Sequence, residues 1–302
     1  MSIVLGPNQY GKSEVRVVRV VRDRPRHELR DVNVSTCLWG DFDAAYVAGD
    51  QTRVLPTDSQ KNTCFAFAKE HGIDQIEDYA LALGRHFVDD IESVAGARIE
   101  IEEYAWDRVV VDGREHDHSW TRRGDAVRTA AVTVVGSDAW VVSGLKDLVL
   151  LKSTGSEFAG FMHDKYTTLA ETHDRVLATS LVARWRWAGV DQAGVDQDWG
   201  ATHSAIRQTL VERFADVHSL ALQQTLWEMG RAVLKTHDAV AEIRLSAPNK
   251  HHFIVDLTPF ELHNPGEVFH ADDRPYGLIQ ASVTRDDAPD AGPAWTTTDS
   301  FA

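Results

Sequence analysis

The sequence predicts an α+β protein whose two halves repeat one order of elements. Two observations carry this. Strand-like runs, β-branched or strictly alternating, come in pairs, and two amphipathic helical stretches separate the pairs in each half. Antiparallel hairpins split by paired helices imply sheets with helices packed on one face. The halves are assigned to residues 1–137 and 138–302.

In the first half, SEVRVVRVVRD (13–23) and HELRDVNVSTCLWG (27–40) suit strands. GDFDAAYVAGDQT follows as a polar turn region. TDSQ (57–60) has capping-box spacing, so Thr57 is the expected N-cap of a helix running to about Gly72. QIEDYALALGRHFVDDI fits a second helix, with Ile76, Tyr79, Leu83 and Phe87 on one stripe. ARIEIEEYAW (97–106) and VRTAAVTVVG (127–136) close the half as strands.

The second half opens with the strands WVVSGLKDLVLLKST (140–154) and RVLATSLVARWRW (175–187). Helices follow over 195–217, with Ile206, Leu210 and Phe214 on one face, and over 219–237. EIRLSAP (242–248), HHFIVDL (251–257) and YGLIQASVTR (276–285) are strands again, and the final DDAPDAGPAWTTTDSFA is expected to fray. The adjacent His251 and His252 resemble a metal pair at first sight. On a strand, however, neighbouring side chains point to opposite faces, so one ion could not easily take both rings.

A chain of 302 residues can bury one large core or two modest ones. Its formal charge of −15 argues against a nucleic-acid partner, whose footprint is a basic patch. Any anionic substrate must be held by local cations against that field. No apolar run approaches the roughly 20 residues of a membrane helix. MSIVLGPNQYGK lacks a signal pattern and the terminal DSFA is no peroxisomal address, so a cytoplasmic enzyme is expected. Cys37 and Cys64 form neither a disulfide framework nor a zinc spacing.

Single clusters do not name a reaction. Lys12 in YGK, before a strand, is most simply a solvated edge charge, and a cap accounts for Thr57, although a helix start also suits an anion. HDHSW (116–120) reads as a polar loop without a companion ligand set for a metal. Phe158 suits a core or edge aromatic, Arg175 a surface ion pair, and Gln223 a polar helix face. Dinucleotide, phosphate-loop and nucleophile-elbow motifs are missing.

Taken together, NQYGK (8–12), TDSQKNT (57–63), LLKSTGSEFAGF (150–161), DKYTTLAETHDRVLAT (164–179), HSLALQQTLWEMG (218–230), PNKHHFIVDL (248–257) and DRPYGLIQA (273–281) resemble the uricase, or urate oxidase, family. The resemblance runs in order from Val4 to about Val283. It implies two tandem tunnelling-fold (T-fold) domains per chain and a barrel-like homotetramer with active sites at subunit interfaces. It also implies an oxidase that uses no cofactor and no metal. The reaction takes urate, O2 and water to 5-hydroxyisourate and hydrogen peroxide.

By position, the resemblance places the catalytic groups on Lys12, Thr57 and His251. It places substrate contacts on Thr57, Asp58, Phe158, Arg175, Leu222, Gln223 and Asn249. The chemistry suits each. Arg175 offers a planar fork to the urate anion, Gln223 a donor and an acceptor, and Phe158 a flat face. Thr57 and Asp58 can present backbone N–H groups at a helix start, and Asn249 can hold O2 and then water over the ring. His251 is expected to face the relay beside Asn249, and His252 the opposite side. Pro56, Ala159 and Leu222 depart from the family's usual residues without removing a catalytic group. The alternative is a tunnelling-fold enzyme on a related planar heterocycle such as a pterin. Such hydrolases typically need a zinc set, for which Cys37, Cys64, His116 and His118 have no convincing spacing. A third possibility, a scaffold that has lost activity, is opposed by the intact set of site residues.

Overall fold

The computed structural model describes residues 2–124, 126–190 and 198–298. The chain forms two compact units. The first comprises Met1–Gly144, Trp185–Ala201 and Pro289–Ala302, and the second Leu145–Arg184 and Thr202–Ala288.

In the first unit, β1 (Tyr10–Val21) pairs antiparallel with β2 (Glu28–Gly40), β2 with β3 (Val94–Glu103), and β3 with β6 (Val127–Val135). Alternation sets the buried face: Val15, Val17, Val32, Val34, Ile99, Ile101, Val132 and Val134 are all buried. The helices α2 (Thr57–Glu70) and α3 (Ile76–Asp89) pack on the strands, α2 against β1 and α3 against β3 and β6. The expected stripe Ile76, Tyr79, Leu83 and Phe87 is the buried face of α3. Gly84 completes that contact, since a Cβ there would lie 2.8 Å from Val134 Cγ2.

In the second unit, the strand order is β7 (Asp138–Lys152), β8 (Leu177–Trp187), β9 (Val240–Ile254) and β10 (Phe269–Thr284). β7 and β8 contribute residues to both units. α4 (Trp199–Asp216) buries Ile206, Leu210 and Phe214, and α5 (Leu222–Thr236) packs on β9 and β10. Gly230 of α5 repeats the role of Gly84, because its Cβ would meet Val283 Cγ2 at 2.6 Å. The expected repeat of strand pair, helix pair and strand pair is therefore present, down to a glycine at matching helix–strand contacts.

Several expectations change. The stretch after β2 is not only turn, because Asp43–Ala48 forms a short helix, α1, ended by Gly49 at φ 70°. HDHSW is not a loop. It lies on β5 (Arg114–Arg122), which pairs with β4 (Trp106–Val111) as a separate hairpin. Asp112 and Gly113, at φ 50° and 77°, make the two-residue turn whose twist suits such a hairpin. The strands expected at 242–248 and 251–257 are one strand, β9, whose ladder to β10 is interrupted between Asp272 and Gly277. The predicted residues 195–197 of the helix at α4, and 299–302 of the tail, lie outside the described residues. Up to residue 298 the tail is fixed rather than frayed. Arg98 donates to the Pro293 and Ala294 carbonyls at 3.2 and 3.0 Å, and the Thr298 N–H donates to Glu100 at 2.9 Å.

Candidate active site

The second unit contains a cavity of about 660 Å³ bordered by Phe158, Arg175, Leu222, Gln223, Asn249 and His251. This is the size range of pockets for small organic ligands. Lys12, Thr57 and Asp58 belong to the first unit.

Three segments present the cavity's first four residues, and backbone hydrogen bonds tie them together. Phe158 and Thr172 exchange N–H···O bonds of 2.8 and 3.0 Å, and the Arg175 N–H donates to the Ser156 carbonyl at 2.8 Å. Ser219, just before α5, donates to Gly155 at 2.9 Å and accepts from Glu157 at 2.8 Å. The Glu157 carboxylate spans the same three segments, with His218 Nε2 at 2.8 Å and His173 Nδ1 at 3.2 Å. Those two hydrogen bonds hold the Glu157 carboxyl below its usual range, His218 contributing more. Nothing in the spacing of Glu157, His173 and His218 marks this clasp, which only the fold assembles.

Arg175 is the cation of the cavity. Its Nε is buried with no partner among the described residues, and burial lowers its pKa by desolvating the charge. A buried guanidinium donor without an acceptor is costly, so the site is primed for an anionic or carbonyl-rich ligand. The guanidinium carbon lies 5.3 Å from the Phe158 ring centroid. Phe161 stacks on Phe158 at 4.9 Å and 14°, which fixes the plane of the ring beside Arg175. Leu222 and Gln223 are the first two residues of α5, where backbone N–H groups have no intrahelical acceptor. Ala221 in the cap position makes no side-chain cap, and Gln224 Oε1 accepts from the Leu220 N–H instead. The positive end of α5 therefore faces the same cavity as Arg175.

Asn249 and His251 lie two apart on β9 and so share a face. Phe253 continues that face, its ring stacked on His251 at 5.6 Å and 20°. His252 does not turn wholly away, as expected, because it also borders the cavity, with Nδ1 3.2 Å from the Lys250 carbonyl. His251 and His252 still pair with Asp272 and Ala271 of β10, and the ladder is interrupted between His251 and Asn249.

In the first unit, Thr57 is the first helical residue of α2, and Pro56, at φ −53° and ψ 140°, occupies the cap position without a side-chain bond. The expected capping box does not form, because Gln60 is fully buried and is bonded to Thr36 instead. This leaves the Thr57 hydroxyl free of capping duty. Asp58 is exposed and held below the usual carboxylate range by Lys61 first, with Asn62 and then Lys12 adding to the effect. Lys12 stands on β1 just where its pairing with β2 slips, between Lys12 and Val15.

Burial pushes the Cys37 and Cys64 thiols up to about 11 and about 12, which keeps them protonated and poor ligands. His116 and His118 meet edge to face at 4.4 Å on β5. Among the described residues, no three His, Cys, Asp or Glu side chains are grouped to hold a metal ion.

Comparison with known proteins adds an independent line. The family model described as Uricase matches residues 8–133 and 141–280. The uricase of Arthrobacter globiformis is 50% identical over 294 residues, covering 97% of this chain and 94% of that protein. That of Emericella nidulans is 35% identical over 290 residues, covering 92% and 96%. The crystal structure of the Arthrobacter globiformis uricase superposes with a TM-score of 0.91 at 49% identity, over 98% of this chain and 99% of that one. Urate oxidase from Bacillus sp. TB-90 superposes at 0.81 over 92% of this chain and 100% of that one; at 24% identity this likeness speaks for the fold.

Proposed function

Because the chain belongs to the uricase family, we propose that it oxidises urate with O2 and water to 5-hydroxyisourate and hydrogen peroxide. One observation carries the chemistry. A buried, unpaired Arg175 donor, the start of α5 and the Phe158 ring converge on one cavity. Arg175 and Gln223 hold one edge of the urate anion, with Phe158 stacked beneath it. The backbone N–H groups of Thr57 and Asp58 receive the opposite edge.

Lys12, Thr57 and His251 act as the proton relay. Lys12 removes a proton from urate monoanion through the Thr57 hydroxyl, and His251 tunes or receives it. The resulting dianion is electron-rich enough to reduce O2 itself, so the chemistry calls for no metal or flavin. Asn249 positions O2 and then the water whose oxygen ends at C5. The balance is one urate, one O2 and one water giving one hydroxyisourate and one peroxide.

The relay residues are divided between the two units. As the family resemblance implies, we place the complete site at a subunit interface of a homotetramer. Exposed apolar side chains on the second unit support burial against another copy: Phe253 and Ile254 on β9, Tyr276 and Leu278 on β10, and Val149 and Leu151 on β7. Among the described residues no helix is long and apolar enough to cross a membrane. We propose a cytoplasmic location, as expected from the sequence.

The test is turnover by protein stripped of metals with EDTA. Loss of urate absorbance with release of peroxide is expected, whereas activity that depends wholly on an added metal would contradict the mechanism. Lys12→Met and Thr57→Ala should each lower turnover by orders of magnitude while the assembly persists.

A further inference from the structure

We infer that Thr36 and Gln60, neither of which touches substrate, are positioning residues that set Lys12 against the start of α2. The inference rests on the proposed roles of Lys12 and Thr57, and it deepens them.

A single chain of hydrogen bonds runs from one to the other. The Lys12 N–H donates to Thr36 Oγ1 at 3.2 Å, and that hydroxyl donates to Gln60 Oε1 at 2.7 Å. Gln60 Nε2 then donates to the Leu55 carbonyl at 3.5 Å, two residues before Thr57. Tyr10 Oη donates to the same carbonyl at 3.0 Å, so both lone pairs of Leu55 O are taken. Thr36 also lies 3.4 Å from the Lys12 carbonyl, but its one proton has the shorter path to Gln60.

Both linking side chains are buried, Gln60 to 0% exposure and Thr36 to 2%. Hydrogen bonds in such surroundings are strong and polarise one another, and an orphaned partner is costly. The local backbone needs this brace. Lys12 sits at a break in the β1–β2 register beside Glu14, which adopts φ 58°. Gly11 runs so close to β2 that a Cβ would fall 1.8 Å from the Thr36 carbonyl. The ordinary ladder therefore does not fix Lys12 on its C-terminal side, and the buried chain does. It also explains why Gln60, three residues after Thr57, turns inward rather than closing a capping box.

The experiment measures steady-state urate oxidation by tetrameric protein, well below its unfolding midpoint, for Thr36→Val, Gln60→Met and the double variant. A misplacement of about 1 Å costs on the order of 100-fold in rate. Each single variant is expected to lower kcat by about 10-fold or more, with KM for urate within about twofold. Because both act through one chain, the double variant should be no slower than the slower single. Thr36→Ser, which keeps the hydroxyl, should recover kcat relative to Thr36→Val. Variants that lose only thermal stability and keep wild-type kcat would overturn the inference, as would multiplicative losses or a Thr36→Ser as slow as Thr36→Val. If one variant does not fold, the other and the serine variant decide it. Lys12→Met, run alongside, separates the two levels: near-normal turnover there would refute the relay itself.

Discussion

Arg175 bears the heaviest demand of any single residue. In the proposed site its fork satisfies a planar anion that the net charge of the protein repels, and its Nε has no protein acceptor among the described residues. Lysine keeps the charge but cannot make two parallel hydrogen bonds. Arg175→Lys is expected to lower kcat/KM by about 100-fold, mostly through KM, measured by initial rates across urate concentration. Unchanged KM would remove Arg175 from the binding edge. Glu157 works one step back, bracing the segments that present Phe158, Arg175 and α5. Its carboxyl pKa is depressed in the fold, so its stabilisation is fully present above the unfolded value of about 4.3 and is lost as pH falls through the lower folded value. The difference in thermal midpoint between wild type and Glu157→Gln should therefore be present at neutral pH and shrink in acid. A difference that stays constant down to pH 3 would show that the ionised clasp is not its source.

At the scale of elements, the two helix–strand contacts made by glycine invite a symmetric test. Alanine is the better helix former by about 1 kcal/mol, but its Cβ would press on Val134 or Val283 at under 3 Å. Overpacking of a buried contact costs about 1–3 kcal/mol. Gly84→Ala and Gly230→Ala should each destabilise the protein in denaturant titration, and a gain in stability at either site would contradict the packing described. The stripe on α3 and the strand alternation were legible because burial imposes strict periods on them. The β4–β5 hairpin carries a turn signal in Asp112-Gly113, but its strands WDRVVV and REHDHSWTR do not alternate, so HDHSW reads as a polar loop in the sequence. Other features were not legible at all. Glu77 looks like a solvated first-turn acid, yet it is fully buried against Arg128 and Ser143, at 2.6 and 2.7 Å. Gln60 completes a capping-box spacing, yet it is spent on Thr36. In both cases a long-range partner outcompetes the local one, and a single sequence does not show which residues meet across the fold. The candidate site residues stand out only through the family resemblance, because each of them alone has an ordinary structural explanation.

For the whole molecule, the proposed homotetramer raises the question of whether Lys12 and His251 of one active site come from different copies. If the complete site forms between copies, two inactive variants should rescue one another. Lys12→Met and His251→Ala chains, assembled together, would regenerate sites holding an intact Lys12 from one copy and an intact His251 from the other. Activity in the mixed assembly, well above that of either variant alone, is the expected result. Silence in a verified hybrid would show that both residues must come from one chain. Whether this chain oxidises urate through its own side chains is decided by following urate and peroxide together in metal-stripped protein. One peroxide for each urate consumed is expected, with turnover abolished by Lys12→Met. Urate left unconsumed by the intact protein, or consumed as fast by Lys12→Met, would contradict it.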